Sequence, residues 1–234
     1  NEALTADEVS SLYNHGLPID LTTDQAAYES SSNLVGYWRM GSGTLDSYPL
    51  IADQTNATLG SDLVVNGDFA TDLSNWQISS WWVWNTLGAY HPPTNLHKPL
   101  YQETCVVGKT YIITFDLNVL QGGAKFSIGT NTGSTTQVIA SNLQSGSHSY
   151  TVTALETNII FNRNNASGNN EYYVNNVTVK QVNGNPAMMT NMTASDIENG
   201  SPYAQLVQNS DFDTDSDWDK KNGSTISGGV GNVI

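Results

Sequence analysis

Aromatic side chains crowd residues 76–101 of this chain: Trp76, Trp81, Trp82, Trp84, Tyr90 and Tyr101. A flat ring offers its apolar surface to the C–H face of a sugar, while nearby amides, hydroxyls and carboxylates meet the sugar hydroxyls. Side chains alternate between the two faces of a strand, and that parity divides the rings. Trp81, Val83, Leu87 and Ala89 share one face and are expected in a core. Trp82, Trp84 and Tyr90 share the other and are expected at the surface. Gln102, Asp116, Asn118 and Asn162 fall on the expected polar faces of their strands, where they would supply hydrogen bonds. The candidate ligand-binding set is therefore Trp82, Trp84, Tyr90, Gln102, Asp116, Asn118 and Asn162. An exposed aromatic patch serves a protein neighbour as well as a glycan, so the residues alone leave both partners open.

Other chemistries find less support. His15, His91, His97 and His148 show no metal-ligand spacing, and neither a nucleophile elbow nor a phosphate-cradling loop is present. His91 and His97 flank Pro92-Pro93 in an expected loop. Glycoside hydrolysis asks for two carboxylates at a set separation; Glu103 and Asp116 are of the right type, but nothing places them together. The expectation is a protein that is not an enzyme, with no catalytic and no metal-ligating residues. Cys105, the sole cysteine, excludes an internal disulfide framework and reads as a small buried apolar residue in a strand over 101–107. The formal charge of −14, from 22 acidic against 8 basic residues, repels phosphate backbones, so no nucleic-acid partner is expected. No run of apolar residues is long enough to insert in a membrane, and no secretion signal opens the chain.

The elements that must position these residues are strands. Over 111–119, Tyr111, Ile113, Phe115, Leu117 and Val119 alternate with Thr114, Asp116 and Asn118, the period of a strand with one face in a core. High Asn, Ser, Thr and Gly suits turn-rich β structure. Near the start, Thr5 and Glu8 form a capping box, and Val9, Leu12 and Tyr13 form a helical stripe that Gly16 and Pro18 stop. So short a helix is marginal alone and must pack on something. The fold class is all-β: an antiparallel β-sandwich (jelly roll) with one short N-terminal helix and extended connector segments.

Three phrases frame residues 63–182: Asn66-Gly-Asp-Phe69 with Trp76, Gly108-Lys-Thr-Tyr-Ile-Ile-Thr-Phe115, and Asn175-Asn-Val-Thr-Val179. In this order they resemble jelly-roll carbohydrate-binding modules of the galactose-binding-like superfamily. The resemblance implies a glycan ligand, and often a structural calcium held through oxygen ligands. Here Ala70 and Asn175 or Asn176 stand at the ligand positions, a departure from that pattern, so no cofactor is expected and structural calcium is only what the resemblance implies. Residues 1–21 resemble the closing segment of an upstream laminin-G or concanavalin-like lectin domain. Residues 22–62 and 183–205 resemble lectin-like connectors that flank the module and pair with each other. Leu206-Val-Gln-Asn-Ser-Asp-Phe212, with Trp218, repeats the opening of the module, so 206–234 reads as the start of a second jelly roll. Both ends read as unfinished pieces, expected to rest on neighbouring subunits or on missing parts of a longer chain.

This mosaic resembles the modular structural proteins of marine bacteriophages, tail fibres among them. It implies a virion or extracellular location, an oligomeric assembly, and glycans or host surface polysaccharide as partners. An architectural spacer without a ligand is the first alternative. The second is the accessory binding module of a secreted polysaccharide-degrading enzyme.

Overall fold

The computed structural model describes residues 3–13, 19–39, 43–78, 81–94, 96–130, 134–164 and 169–191, with the backbone alone of 225–227 and 230–232. One helix, α1 (Ala6–Tyr13), opens the chain, and the strands follow. They are β1 (Leu50–Ile51), β2 (Leu59–Asp62), β3 (Gln77–Ile78), β4 (Val83–Asn85), β5 (Gly88–Thr94), β6 (Leu100–Glu103) and β7 (Thr110–Gln121). Next come β8 (Ala124–Gly129), β9 (Thr135–Leu143), β10 (Gly146–Thr153), β11 (Asn158–Arg163), β12 (Asn170–Val182) and β13 (Ala187–Met188). A last hairpin pairs β14 (Thr225–Ser227) with β15 (Val230–Asn232). The repeated motif at 206–218 lies outside the described residues.

Two antiparallel sheets form the sandwich. The larger runs β10-β7-β12-β5-β4, with β2 also against β12; the smaller runs β3-β6-β11-β8-β9. The fold class expected from period-two alternation is what the chain adopts. Tyr111, Ile113, Phe115 and Leu117 turn inward from β7 and meet Phe126, Ile128, Ile159 and Phe161 from the smaller sheet. The Phe115 ring lies 4.9 Å from both Phe126 and Phe161. Each such burial contributes about 1.5–3 kcal/mol. Cys105 is buried as expected, although β6 ends at Glu103 and Cys105 lies in the segment after it, not in a strand over 101–107; burial pushes its thiol up to about 11.

The Asn66–Trp76 phrase closes one end. Asn66 takes a positive φ of 57°, and its side-chain amide donates to the carbonyls of Asp72 and Ser74, each at 3.1 Å. Trp76 Nε1 donates back to the Asn66 carbonyl at 3.0 Å, and Phe69 and Trp76 enter the core with rings 5.2 Å apart. Gly67 runs so close to β12 that a Cβ there would strike the Val177 carbonyl oxygen.

The capping box is present: the Thr5 N–H donates to Glu8 Oε2 at 2.8 Å and the Glu8 N–H to Thr5 Oγ1 at 3.2 Å. Ser30 adds a hydrogen bond to the Glu8 carboxylate at 2.8 Å. The apolar stripe of α1 stays largely open, with Val9 54% and Tyr13 68% exposed. The two connectors pair through β1 and β13. Buried Asp53 ties them, accepting from the N–H of Tyr37 at 3.0 Å and of Asn185 at 3.3 Å. Pro92 and Pro93 lie in β5, not in a loop; the β5–β12 register shifts beside them, where missing donors interrupt the ladder at least cost.

Candidate functional site

The outward face of the larger sheet gathers the polar and aromatic residues. Alternation along β12 sends Tyr172 and Val174 to the core and leaves Glu171, Tyr173 and Asn175 outside. Register then assembles the face: Tyr173 stands opposite Tyr90 on one side and Asn118 on the other, while Asn175 stands opposite Asp116. Asp116 in turn faces Ser147 of β10.

The Tyr90 and Tyr173 rings stack, with centroids 4.7 Å apart and planes 27° from parallel. The Tyr90 hydroxyl donates to Glu171 Oε1 at 2.6 Å. That hydrogen bond, then burial, pushes the phenol up to about 12, so it remains a protonated donor at neutral pH. Beside the stack is a hollow of about 200 Å³ lined by Leu87, Asp116, Asn118, Tyr173, Asn175 and Asn176. Asp116 is held on both oxygens: Ser147 Oγ donates to one at 2.6 Å and Asn176 Nδ2 to the other at 2.7 Å. The Ser147 bond first, and the Asn176 bond next, keep its carboxyl below the usual range. Asn176 reaches Asp116 because β12 bulges between Asn175 and Thr178, and the bulge residue takes a φ of 51°. The result is a stacked ring pair beside a charged acceptor and amides, with no basic residue lining the hollow.

Of the residues expected at the site, the structure brings Tyr90, Asp116 and Asn118 together. It places the others elsewhere. Trp82 is 4% exposed, a core residue whose Nε1 donates to the Lys98 carbonyl at 2.7 Å. Trp84 packs against the core and donates to the Phe69 carbonyl at 2.7 Å. Gln102 is buried, its amide bound to both backbone groups of Val65 at 2.9 Å and to the Asn75 carbonyl at 3.1 Å. Asn162 is buried too, accepting from the N–H of Arg163 at 2.8 Å and of Lys98 at 3.3 Å.

Before the β4–β5 turn the expected inside and outside are thus exchanged, whereas after it Ala89 is buried and Tyr90 faces outward, as expected. Trp81, Val83 and Leu87 are exposed, and only Ala89 of that set is buried. The two-residue turn between β4 and β5 pairs Trp84 with Ala89 and Val83 with Tyr90. Residues opposite each other share a face, so odd and even positions trade sides across the turn. Tyr173, Glu171, Asn175 and Asn176 were not among the candidates. The alternation Tyr172, Val174 against Tyr173, Asn175 carried the signal for them.

Glu103 projects from the smaller sheet and Asp116 from the larger, on opposite faces of the sandwich, so this pair does no glycosidase chemistry. His91 is fully buried, stacked on Tyr172 at 4.9 Å with Trp82 edge-on at 5.0 Å. Among the described residues no three His, Cys, Asp or Glu side chains come together to hold a metal. No described helix is long and apolar enough to cross a membrane.

No family model matches the chain, and no curated protein matches it. Among solved structures it is similar to a CBM4 protein, at 14% identity and a TM-score of 0.37, covering 48% of this chain and 99% of that one. It is also similar to the second N-terminal cellulose-binding domain of Cellulomonas fimi β-1,4-glucanase C, at 15% identity and a TM-score of 0.39, covering 60% and 99%. A third likeness is to the enzymatically active domain of bacteriophage CBA120 tailspike protein 4, at 17% identity and a TM-score of 0.34, covering 52% of this chain and 21% of that one. At such identities and scores the likenesses carry nothing about what this chain binds.

Proposed function

We propose that this chain is a non-enzymatic adhesion or structural protein of a virion or extracellular appendage, and that its sandwich binds neutral glycans on the outward face of the larger sheet. The stacked Tyr90–Tyr173 pair beside the clamped Asp116 carries this reading. What the half-exposed ring stack leaves open supplies apolar surface for the C–H face of a sugar, and Asp116, Asn118 and Asn175 surround it with hydrogen-bonding groups. Asp116 and Glu171 on the face, and a chain charge of −14, disfavour uronate-rich or sulfated polysaccharides. Copies displayed together in an assembly would turn individually weak sites into useful avidity.

A glycan array carrying neutral and acidic polysaccharides, probed with wild type, Tyr173→Ala and Asn118→Ala, tests it. Binding confined to neutral glycans, weakened about tenfold or more by Tyr173→Ala, is the expected result. An array silent for wild type, with Trp81, Val83 and Leu87 protected by self-association, would instead establish the architectural spacer.

A further inference from the structure

We infer that β10 is a docking edge for a second copy of this chain, which adds its own β10 antiparallel and joins two larger sheets into one. A strand at a sheet border leaves a row of unpaired N–H and C=O groups, and folds blunt such borders with short strands, bulges, charges or proline. Among the described strands every border but one is blunted. β2, β3 and β4 run four, two and three residues. β9 is long, but its register on β8 shifts in three places. β10 has none of these devices. It ends the larger sheet, pairs with β7 over all eight residues without a shift, and carries no proline and no Asp, Glu, Lys or Arg.

The ladder fixes which groups are open. Ala154, just past β10, donates its N–H to the Lys109 carbonyl at 2.9 Å, and bonded residues alternate with unbonded ones along an antiparallel pair. His148, Tyr150 and Val152 therefore spend their backbone groups on β7, while Ser147, Ser149 and Thr151 turn theirs outward. The Thr153 carbonyl is already taken, accepting from Gln137 Nε2 at 3.2 Å. A two-fold axis through Ser149 uses all three open residues: Ser149 pairs with its own copy, and Ser147 with the second copy's Thr151. On the outward side only small hydroxyl side chains meet. On the inward side the same register sets His148 against the second copy's Tyr150, a ring that its own core covers only in part.

Charge selects the same edge and the same occupant. The chain carries −14, so two copies repel wherever carboxylates face each other, yet residues 126–155 contain no acidic and no basic side chain. Asp116 stands one strand in, opposite Ser147. In the paired sheet its counterpart is three strand spacings away, roughly 14 Å, beyond the screening length of about 8 Å. The two-fold stands perpendicular to the joined sheet, so both outward faces look the same way. This assignment rests on β10 alone and not on the glycan reading; where that reading holds, the pairing sets two such faces side by side.

Sedimentation velocity of the full chain from about 1 μM to about 1 mM should show a reversible dimer. Ser149→Lys and Ser149→Glu each set like charges directly opposite across the two-fold, and each should weaken association about tenfold or more. An equimolar mixture of the two should restore it, because Lys then faces Glu. Ser149 is exposed, so both variants should keep the thermal midpoint of wild type. Hydrogen exchange reads the register: the Ser147, Ser149 and Thr151 amides should slow as the dimer forms, while those of His148, Tyr150 and Val152 stay slow throughout. A wild type that stays monomeric over that range overturns the proposal, as does a dimer that both variants leave unaltered or a mixture that fails to recover. Slowing at Trp81, Val83 and Leu87 instead would move the contact to the β4 edge and overturn it too. A silent glycan array leaves it standing.

Discussion

His91 sits where no solvent reaches, packed between the Tyr172 and Trp82 rings. Its Nδ1 lies 3.0 Å from the Asn170 carbonyl, while its Nε2 and the Tyr172 hydroxyl are buried with no hydrogen-bond partner. Burial pushes the imidazole below the ordinary histidine range, because the charged form loses its hydration. With a folded value below the unfolded one, about 6.5, the stability it allows is present above that value and is lost as pH falls through it. His91→Phe keeps the ring stack and removes both the proton and the orphaned nitrogen. Urea melts should show the variant within about 1 kcal/mol of wild type at pH 7.5, and less sensitive to acidification to pH 5. Equal acid sensitivity in both proteins would assign the loss to other groups. Tyr90 shows the opposite shift for a different cause: the Glu171 carboxylate holds its phenol proton.

At the scale of elements, the loop from Asn66 to Trp76 is fixed against β12 by one close backbone approach. The Val177 N–H donates to the Gly67 carbonyl at 2.9 Å, and any side chain at Gly67 would strike the Val177 carbonyl. Gly67→Ala should therefore push the loop away and loosen Phe69 and Trp76 in the core, costing roughly 2–4 kcal/mol. Thermal unfolding followed by tryptophan fluorescence measures it; an unchanged midpoint would mean that the approach is not needed. The bulge at Asn176 is a comparable device, since its left-handed backbone, disfavoured for most residues by about 1–2 kcal/mol, is what aims the amide at Asp116. Asn176→Gly keeps that backbone and removes the clamp. Its fold should persist while glycan binding on that face weakens.

At the scale of the whole molecule, the two connectors close on each other beside the sandwich, with Asp53 as the knot and Trp38 Nε1 donating to the Asn185 carbonyl at 2.9 Å. Asp53→Ala leaves the Tyr37 and Asn185 N–H groups unpaired, at about 1–3 kcal/mol each where buried. Hydrogen exchange should accelerate at Tyr37, Thr55 and Asn185, while the amides of Tyr111–Val119 keep their protection. Acceleration across β7 as well would show that the connectors and the sandwich unfold as one unit. Much of this architecture was legible in the chain. The alternation over Tyr111–Val119, the capping box at Thr5 and Glu8, the buried Cys105 and the outward Asp116 and Asn118 all rest on spacings within one element, where backbone geometry sets which side chains share a side. The meeting of Tyr173 with Tyr90, the inward turn of Trp82 and Trp84, and the separation of Glu103 from Asp116 were not legible. Each depends on which strand lies alongside and which sheet lies across. A local period says which residues face the same way; only the packed partner decides which way is in.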